Sequence, residues 1–104
     1  VNEPAAVETP QIDYLLHEPA RLRLLALLSV VKRIDFTYLL KLSGLSRGNL
    51  SVQMTRLSDA EMISINKSFR GNRPRTVYQL TAKGTKALRT YKRNMTAILK
   101  ALPD

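Results

Sequence analysis

Apolar residues in this chain recur first at helical spacing and then, beyond Met62, at alternate positions, so helices followed by strands are expected. Residues 1–10 hold two prolines with small and acidic side chains, and read as a flexible tail. Residues 11–16 suit a short helical turn with Ile12, Leu15 and Leu16 on one side. His17-Glu18-Pro19 opens a first helix, because proline in the first turn loses no hydrogen bond. Leu22, Leu25 and Leu28, with Leu24, Leu27 and Val31, carry this helix over residues 19–31. Lys32 and Arg33 suit its C-terminal end, where the helix dipole favours cations. Ile34-Asp35-Phe36 reads as a short extended link, with Asp35 capping a second helix over 36–42 that turns Phe36, Leu39 and Leu40 inward.

Ser43-Gly44-Leu45-Ser46 breaks that helix. Gly44 supplies the tight turn, and Ser46 caps a third helix from 47 to about 60. Its core stripe is Leu50, Met54 and Leu57. Ile63 and Ile65 then share one strand face, as do Tyr78 and Leu80. Between them Arg70-Gly71-Asn72-Arg73-Pro74-Arg75 forms a turn-rich basic tip, so residues 62–80 are expected to be an antiparallel hairpin. Thr81 caps a long last helix over 82–102.

Composition narrows the chemistry. Seventeen Lys and Arg against eight Asp and Glu give a net charge of +9 over 104 residues, which points to a polyanionic partner. The charge is uneven: residues 1–20 carry four acids and no Lys or Arg, whereas residues 62–104 carry ten bases and one acid. A hydrophobic fraction of 44% is ordinary for one folded domain. With no cysteine there are no disulfides or thiolate metal sites, and with His17 as the one histidine no metal or cofactor is expected. There is no run of about 18 apolar residues to span a membrane. The apolar stretch 22–31 is too short and wrongly flanked for a signal peptide, so the cytoplasm is the expected address.

Two short helices joined by a glycine turn form a helix-turn-helix pattern, and the basic hairpin directly behind it makes a winged helix-turn-helix. The expected architecture is mainly α with a β-hairpin wing. It comprises the tail at 1–10, a DNA-binding winged helix-turn-helix at 11–81, and a long C-terminal dimerisation helix at 82–104. Stepping about 100° per residue from Leu50 puts Gly48, Ser51, Val52, Thr55, Arg56 and Asp59 on the far side of the third helix. Arg47, Asn49 and Gln53 lie at its margins. Arginine forks onto guanine, Asn or Gln pairs with adenine, and Thr or Val touches a thymine methyl. Gly48 permits close approach to phosphate, and the Ser46-capped helix end offers free N–H groups. An aliphatic Val52 facing water has no folding role and suits a groove contact.

The competing view is a plain solvated helix face, and the neighbouring wing tilts the balance toward DNA. On the wing, Lys67, Arg70, Arg73 and Arg75 suit phosphate or the minor groove, the alternative being a solvated turn. Thr37, Tyr38 and Lys41 are candidate backbone contacts. Leu88, Tyr91, Met95, Ile98 and Leu102 follow one another at intervals of 3, 4, 3 and 4, a heptad seam suited to a second copy. Folding back on Leu15, Leu16 and the first helix is the other use for that seam.

These residues resemble a known family. His17-Glu18-Pro19-Ala20-Arg21-Leu22, Phe36-Thr37-Tyr38-Leu39-Leu40, Gly44-Leu45-Ser46-Arg47-Gly48-Asn49-Leu50-Ser51, and the stretch from Lys67 through Arg73-Pro74-Arg75-Thr76 to Gly84 are similar to small prokaryotic winged-helix transcriptional regulators related to the MarR and ArsR groups. The resemblance covers residues 15–90. It implies a homodimer, recognition through the third helix by Arg47, Asn49, Ser51 and Gln53, and DNA contact by Arg73 and Arg75. Gln53 stands where such proteins often have His, and Glu61 where a Gly often closes the helix. The Cys and His pairs of metal-sensing relatives are missing.

The leading expectation is a sequence-specific regulator binding double-stranded DNA as a homodimer. A protein-interaction module and a non-specific architectural nucleic-acid binder are the alternatives. Few exposed aromatics argue against single-stranded RNA. No catalytic constellation or phosphate-cradling glycine motif is present, so no enzyme is expected, and no pattern identifies an effector.

Overall fold

A computed structural model describes residues 10–104, and each of its helices begins on a side chain that satisfies free backbone N–H groups. Helix α1 spans Pro19–Val31, and the Glu18 carboxylate accepts from the N–H of Ala20 (3.1 Å) and Arg21 (2.8 Å). Helix α2 spans Phe36–Ser43, with Asp35 accepting from Tyr38 N at 2.8 Å. Helix α3 spans Arg47–Asp59, with Ser46 Oγ accepting from Asn49 N at 3.1 Å. Helix α4 spans Ala82–Lys100, and Thr81 Oγ1 accepts from Gly84 N at 2.9 Å. Such caps are each worth about 1 kcal/mol. Gly44, at φ 68°, ends α2 in the left-handed conformation that glycine adopts without penalty.

Three antiparallel strands, β1 (Arg33–Asp35), β2 (Ile63–Arg70) and β3 (Arg73–Leu80), form one sheet in the order β1-β3-β2. The expected link at 34–36 is therefore a strand in its first two residues. Ile34 pairs with Tyr78 and Asp35 with Val77, a segment too short to show a period of its own. The expected six-residue tip is also shorter. Gly71 and Asn72 alone make the turn, Gly71 taking φ 65°, as a two-residue hairpin loop with glycine first requires. Arg73, Pro74 and Arg75 belong to β3. Arg70 pairs with Arg73 and Phe69 with Pro74. Pairs alternate between bonded and non-bonded along the ladder, so Pro74 takes the non-bonded position beside the turn. There β1 no longer flanks β3, and a missing N–H costs little.

Leu16, Leu24, Leu25, Leu28, Ile34, Leu39, Leu50, Met54, Leu57, Met62, Ile63, Tyr78 and Tyr91 form one buried cluster. Helix α3 delivers its expected stripe, Leu50, Met54 and Leu57, to that cluster. It then closes with a reverse turn: Met62 N–H donates to Leu57 O (2.9 Å) and Glu61 N–H to Ser58 O (2.9 Å). Glu61 holds φ 63° there, the position glycine usually takes in this motif. Glu61 thus closes the turn in the left-handed conformation that glycine usually supplies there.

Helix α4 is pinned at its start. The Met62 carbonyl accepts from Thr81 N (3.1 Å), the Thr81 hydroxyl donates to Glu61 O (2.6 Å) with Met62 O second at 3.0 Å, and Gly84 lies against the Met62 carbonyl. Further on, Tyr91 is buried, its hydroxyl 2.8 Å from His17 Nδ1. Leu88 and Met95 pack on the core and Ile98 is half-buried, so the first part of the expected seam folds back on the domain. Leu102 lies beyond the helix end and is exposed. The expected tail falls on residues 1–10, nine of which lie outside the described residues.

A Cβ on Gly84 would run into the Met62 carbonyl. Glycine to alanine inside a helix normally adds about 1 kcal/mol. Here Gly84→Ala is expected to cost about 2 kcal/mol through overpacking, lowering the melting temperature by roughly 10 °C. A thermal melt that rises instead would overturn this account of the junction.

Candidate nucleic-acid interface

Burying Leu50, Met54 and Leu57 forces the opposite face of α3 outward. Gly48, Ser51, Val52, Thr55, Arg56 and Asp59 are all exposed on it, with Arg47 and Asn49 at the rim. Val52, 49% exposed, is an aliphatic side chain left to solvent. Gln53 differs from the expectation of a free reader. It is half-buried, accepts from the Arg21 guanidinium at 3.0 Å, and donates to Asn49 Oδ1 at 3.0 Å. Arg47 is also partly engaged, since its guanidinium carbon lies 5.5 Å above the Phe36 ring. Phe36 in turn packs on Tyr78, ring centres 6.5 Å apart. The start of α3, the start of α2 and the base of the wing are thereby stacked in series. Ser46 accepts the Asn49 N–H, which leaves its own proton free to donate. Thr37 and Tyr38 are exposed on α2.

The wing register separates its bases. Directly opposed residues of an antiparallel pair share a face. Arg70 with Arg73, and Ser68 with Arg75, lie on one face. Lys67 lies on the other, with Thr76, Phe69 and Pro74. All four basic residues are exposed, but three stand together and Lys67 apart. A cleft of about 190 Å³ lies where Thr37 of α2 meets Arg70, Arg73 and Arg75.

An exposed helix face held beside an arginine-lined hairpin is the arrangement a duplex reader needs. The family model described as winged helix DNA-binding domain matches residues 20–99. This chain belongs to that family. It is 29% identical over 77 residues to an uncharacterised protein of Methanocaldococcus jannaschii, covering 74% of this chain and 84% of that one. A transcriptional regulator homologue from Pyrococcus horikoshii superposes with a TM-score of 0.82 at 24% identity, covering 88% of this chain and 91% of the other. Rv0081 of Mycobacterium tuberculosis gives a TM-score of 0.68 at 27% identity, covering 84% of each. MarR-family regulators also share the fold, so the resemblance read from the sequence holds.

Two residues of this winged helix escaped the sequence reading. Phe69 is 76% exposed near the tip of the wing. It continues the alternation of Ile63, Ile65 and Lys67 past the end of the core, so the signal was present in the period. Arg21 is buried, at positions i, i+3, i+4 and i+7 with Leu24, Leu25 and Leu28. That spacing marks the inward face, although a charged residue there invites the opposite conclusion. Its Nε donates to Leu15 O at 2.6 Å and its Nη1 to Gln53, with Glu18 Oε2 at 3.8 Å. Among the described residues no buried side-chain polar atom lacks a partner, no three His, Cys, Asp or Glu gather as metal ligands, and no helix is long and apolar enough to cross a membrane.

The N–H groups of Arg21 and Ala20, and then the Arg21 charge, hold the Glu18 carboxyl below its ordinary value of 4.5. A group whose folded value is depressed stabilises the fold above its unfolded value, and loses that contribution as pH falls through the folded one. Burial pushes the Tyr78 hydroxyl up, which keeps it neutral. Glu18→Gln is expected to melt below the unsubstituted protein near neutral pH, the gap closing as the pH falls below the carboxyl's ordinary value of 4.5. A gap that stays constant across melts over that fall would exclude this role for the carboxylate.

Proposed function

We propose that this winged helix is a sequence-specific transcriptional regulator that binds double-stranded DNA as a homodimer. The observation that carries the reading is the outward α3 face, polar and nearly free of acid, set beside an arginine-rich wing. In the major groove, Arg56 suits guanine, Ser51 and Thr55 suit either hydrogen-bonding edge, and Val52 suits a thymine methyl. Gly48 and the N–H groups at the start of α3 approach a phosphate. Thr37, Tyr38 and Ser46 contact the backbone on one side, and Lys67, Arg70, Arg73 and Arg75 contact the flanking backbone or minor groove on the other. Phe69 and Pro74 bring an apolar edge to the same flank.

A second copy pairs through α4. Leu22 and Ala26 of α1 and Leu88, Met95 and Leu99 of α4 line an apolar groove of about 400 Å³. Leu99 of that groove is 59% exposed. Burying such groups against another copy is favourable by roughly 25 cal/mol per Å². Ile98 and Leu102 extend the same edge, while Leu88 and Met95 serve both the domain and the pairing helix and Tyr91 serves the domain. Two α3 helices then meet successive major grooves about 34 Å apart on a near-palindromic site.

Two measurements test this reading. Replacing Arg73 and Arg75 together by alanine should weaken binding to all duplexes alike. It should also flatten the slope of log affinity against log salt by about two. An unchanged slope in fluorescence anisotropy titrations would remove the wing from the interface. Leu99→Glu combined with Leu102→Glu, both exposed, should convert a dimer to a folded monomer in sedimentation velocity. A monomeric unsubstituted chain, or a dimer that persists in the variant, would refute pairing through α4.

A further inference from the structure

The hydrogen-bonding polarity of the α3 surface is set from inside the protein. Arg21 is 9% exposed, and its guanidinium carries donors only. The side-chain oxygen of Gln53, 3.0 Å from Arg21 Nη1, must therefore be the acceptor Oε1. That choice turns Gln53 Nε2 toward Asn49, one helical turn back, at 3.0 Å. An amide nitrogen facing Asn49 requires an acceptor there, so Asn49 Oδ1 faces Gln53 and Asn49 Nδ2 faces outward. Each amide orientation follows from the one before, starting at a group that cannot accept. Nε of Arg21 is itself fixed by Leu15 O at 2.6 Å, so the first member of the series cannot swing away.

We propose that Arg21 and Gln53 are positioning residues that fix Asn49 as a hydrogen-bond donor toward DNA, so that Asn49 selects acceptor edges. This inference rests on the duplex-reading function proposed above. Guanine presents two acceptors in the major groove, thymine one and adenine one, whereas cytosine presents only a donor. The bidentate adenine contact ordinarily expected of asparagine needs its oxygen facing the base. Here that oxygen is turned onto Gln53. Asn49 therefore favours guanine and disfavours cytosine on the contacted strand.

Gln53→Glu inverts the series. A carboxylate accepts from Arg21 with one oxygen and, having no donor, accepts again with the other, so Asn49 must present Nδ2 inward and Oδ1 to the DNA. The test is selection of the full chain on a randomised duplex pool, read by sequencing. Asn49→Ala marks the contacted base pair by its loss of preference. At that pair Gln53→Glu should raise cytosine relative to guanine by about tenfold and leave the other positions unchanged. The added negative charge lowers affinity for every duplex, which relative enrichment does not register. Arg21→Met removes the first donor and should blur the same position without inverting it. If that variant fails to fold by circular dichroism, Gln53→Glu, which keeps a partner for Arg21, carries the test. An unchanged preference in Gln53→Glu overturns the proposal while leaving duplex recognition intact. No enriched site with the unsubstituted chain overturns both.

Discussion

The Met62 backbone is the point on which the geometry turns. Its N–H closes α3 by bonding Leu57 O, and its carbonyl takes the N–H of Thr81, whose hydroxyl donates to the neighbouring Glu61 O, where β3 gives way to α4. Gly84 presses on the Met62 carbonyl. One residue thus joins the end of α3, the root of the wing and the start of the last helix. These hydrogen bonds are directional, so they fix angles as well as distances. The duplex recognition proposed above requires the α3 face and the wing arginines to reach one duplex together. Glu61, next in line, accepts a left-handed backbone conformation at a position usually given to glycine.

The parts legible in the sequence were those written locally. Asp35, Ser46 and Thr81 are short polar side chains ahead of apolar periods, and each caps the helix expected of it. Leu50, Met54 and Leu57 show a helical stripe, and Ile63, Ile65, Tyr78 and Leu80 show an alternating one. The parts that were not legible depend on distant partners. Arg33–Asp35 becomes a strand only because β3 lies beside it. Gln53, expected at the margin of the outward α3 face, is half-buried and bonded to Arg21, 32 residues earlier, across the α1–α3 contact. The heptad reading of α4 counted spacing correctly but could not divide the seam between the domain and a second copy. Tyr91 is spent on His17 and the core, whereas Leu102 touches neither.

The charge also means something different once placed. A surplus of nine positive charges would suit any polyanion, but the register sorts the wing bases by face. Arg70, Arg73 and Arg75 share one side, which concentrates their field at the cleft beside Thr37. Arg21 adds to the formal surplus yet meets no solvent anion, because its donors go to Leu15, Gln53 and the Glu18 side. It is a structural cation, and a count that treats it as surface charge overstates the field available to a partner.

The N-terminal segment 10–18 ties these effects together. Gln11 O accepts from Asn94 of α4 at 3.0 Å, and His17 meets Tyr91 on the same helix. Leu15 O, between them, holds Arg21, which holds Gln53 and through it Asn49. A displacement of α4 at a dimer seam would pull on this segment, and the segment is hydrogen-bonded to the buried cation that orients the α3 amides. Close-packed apolar side chains transmit strain without a preferred direction. Directional bonds between groups with fixed donor and acceptor roles do not slide without breaking. Gln11, Leu15 and His17 thereby tie α4 by hydrogen bonds to the Arg21–Gln53–Asn49 series beneath α3.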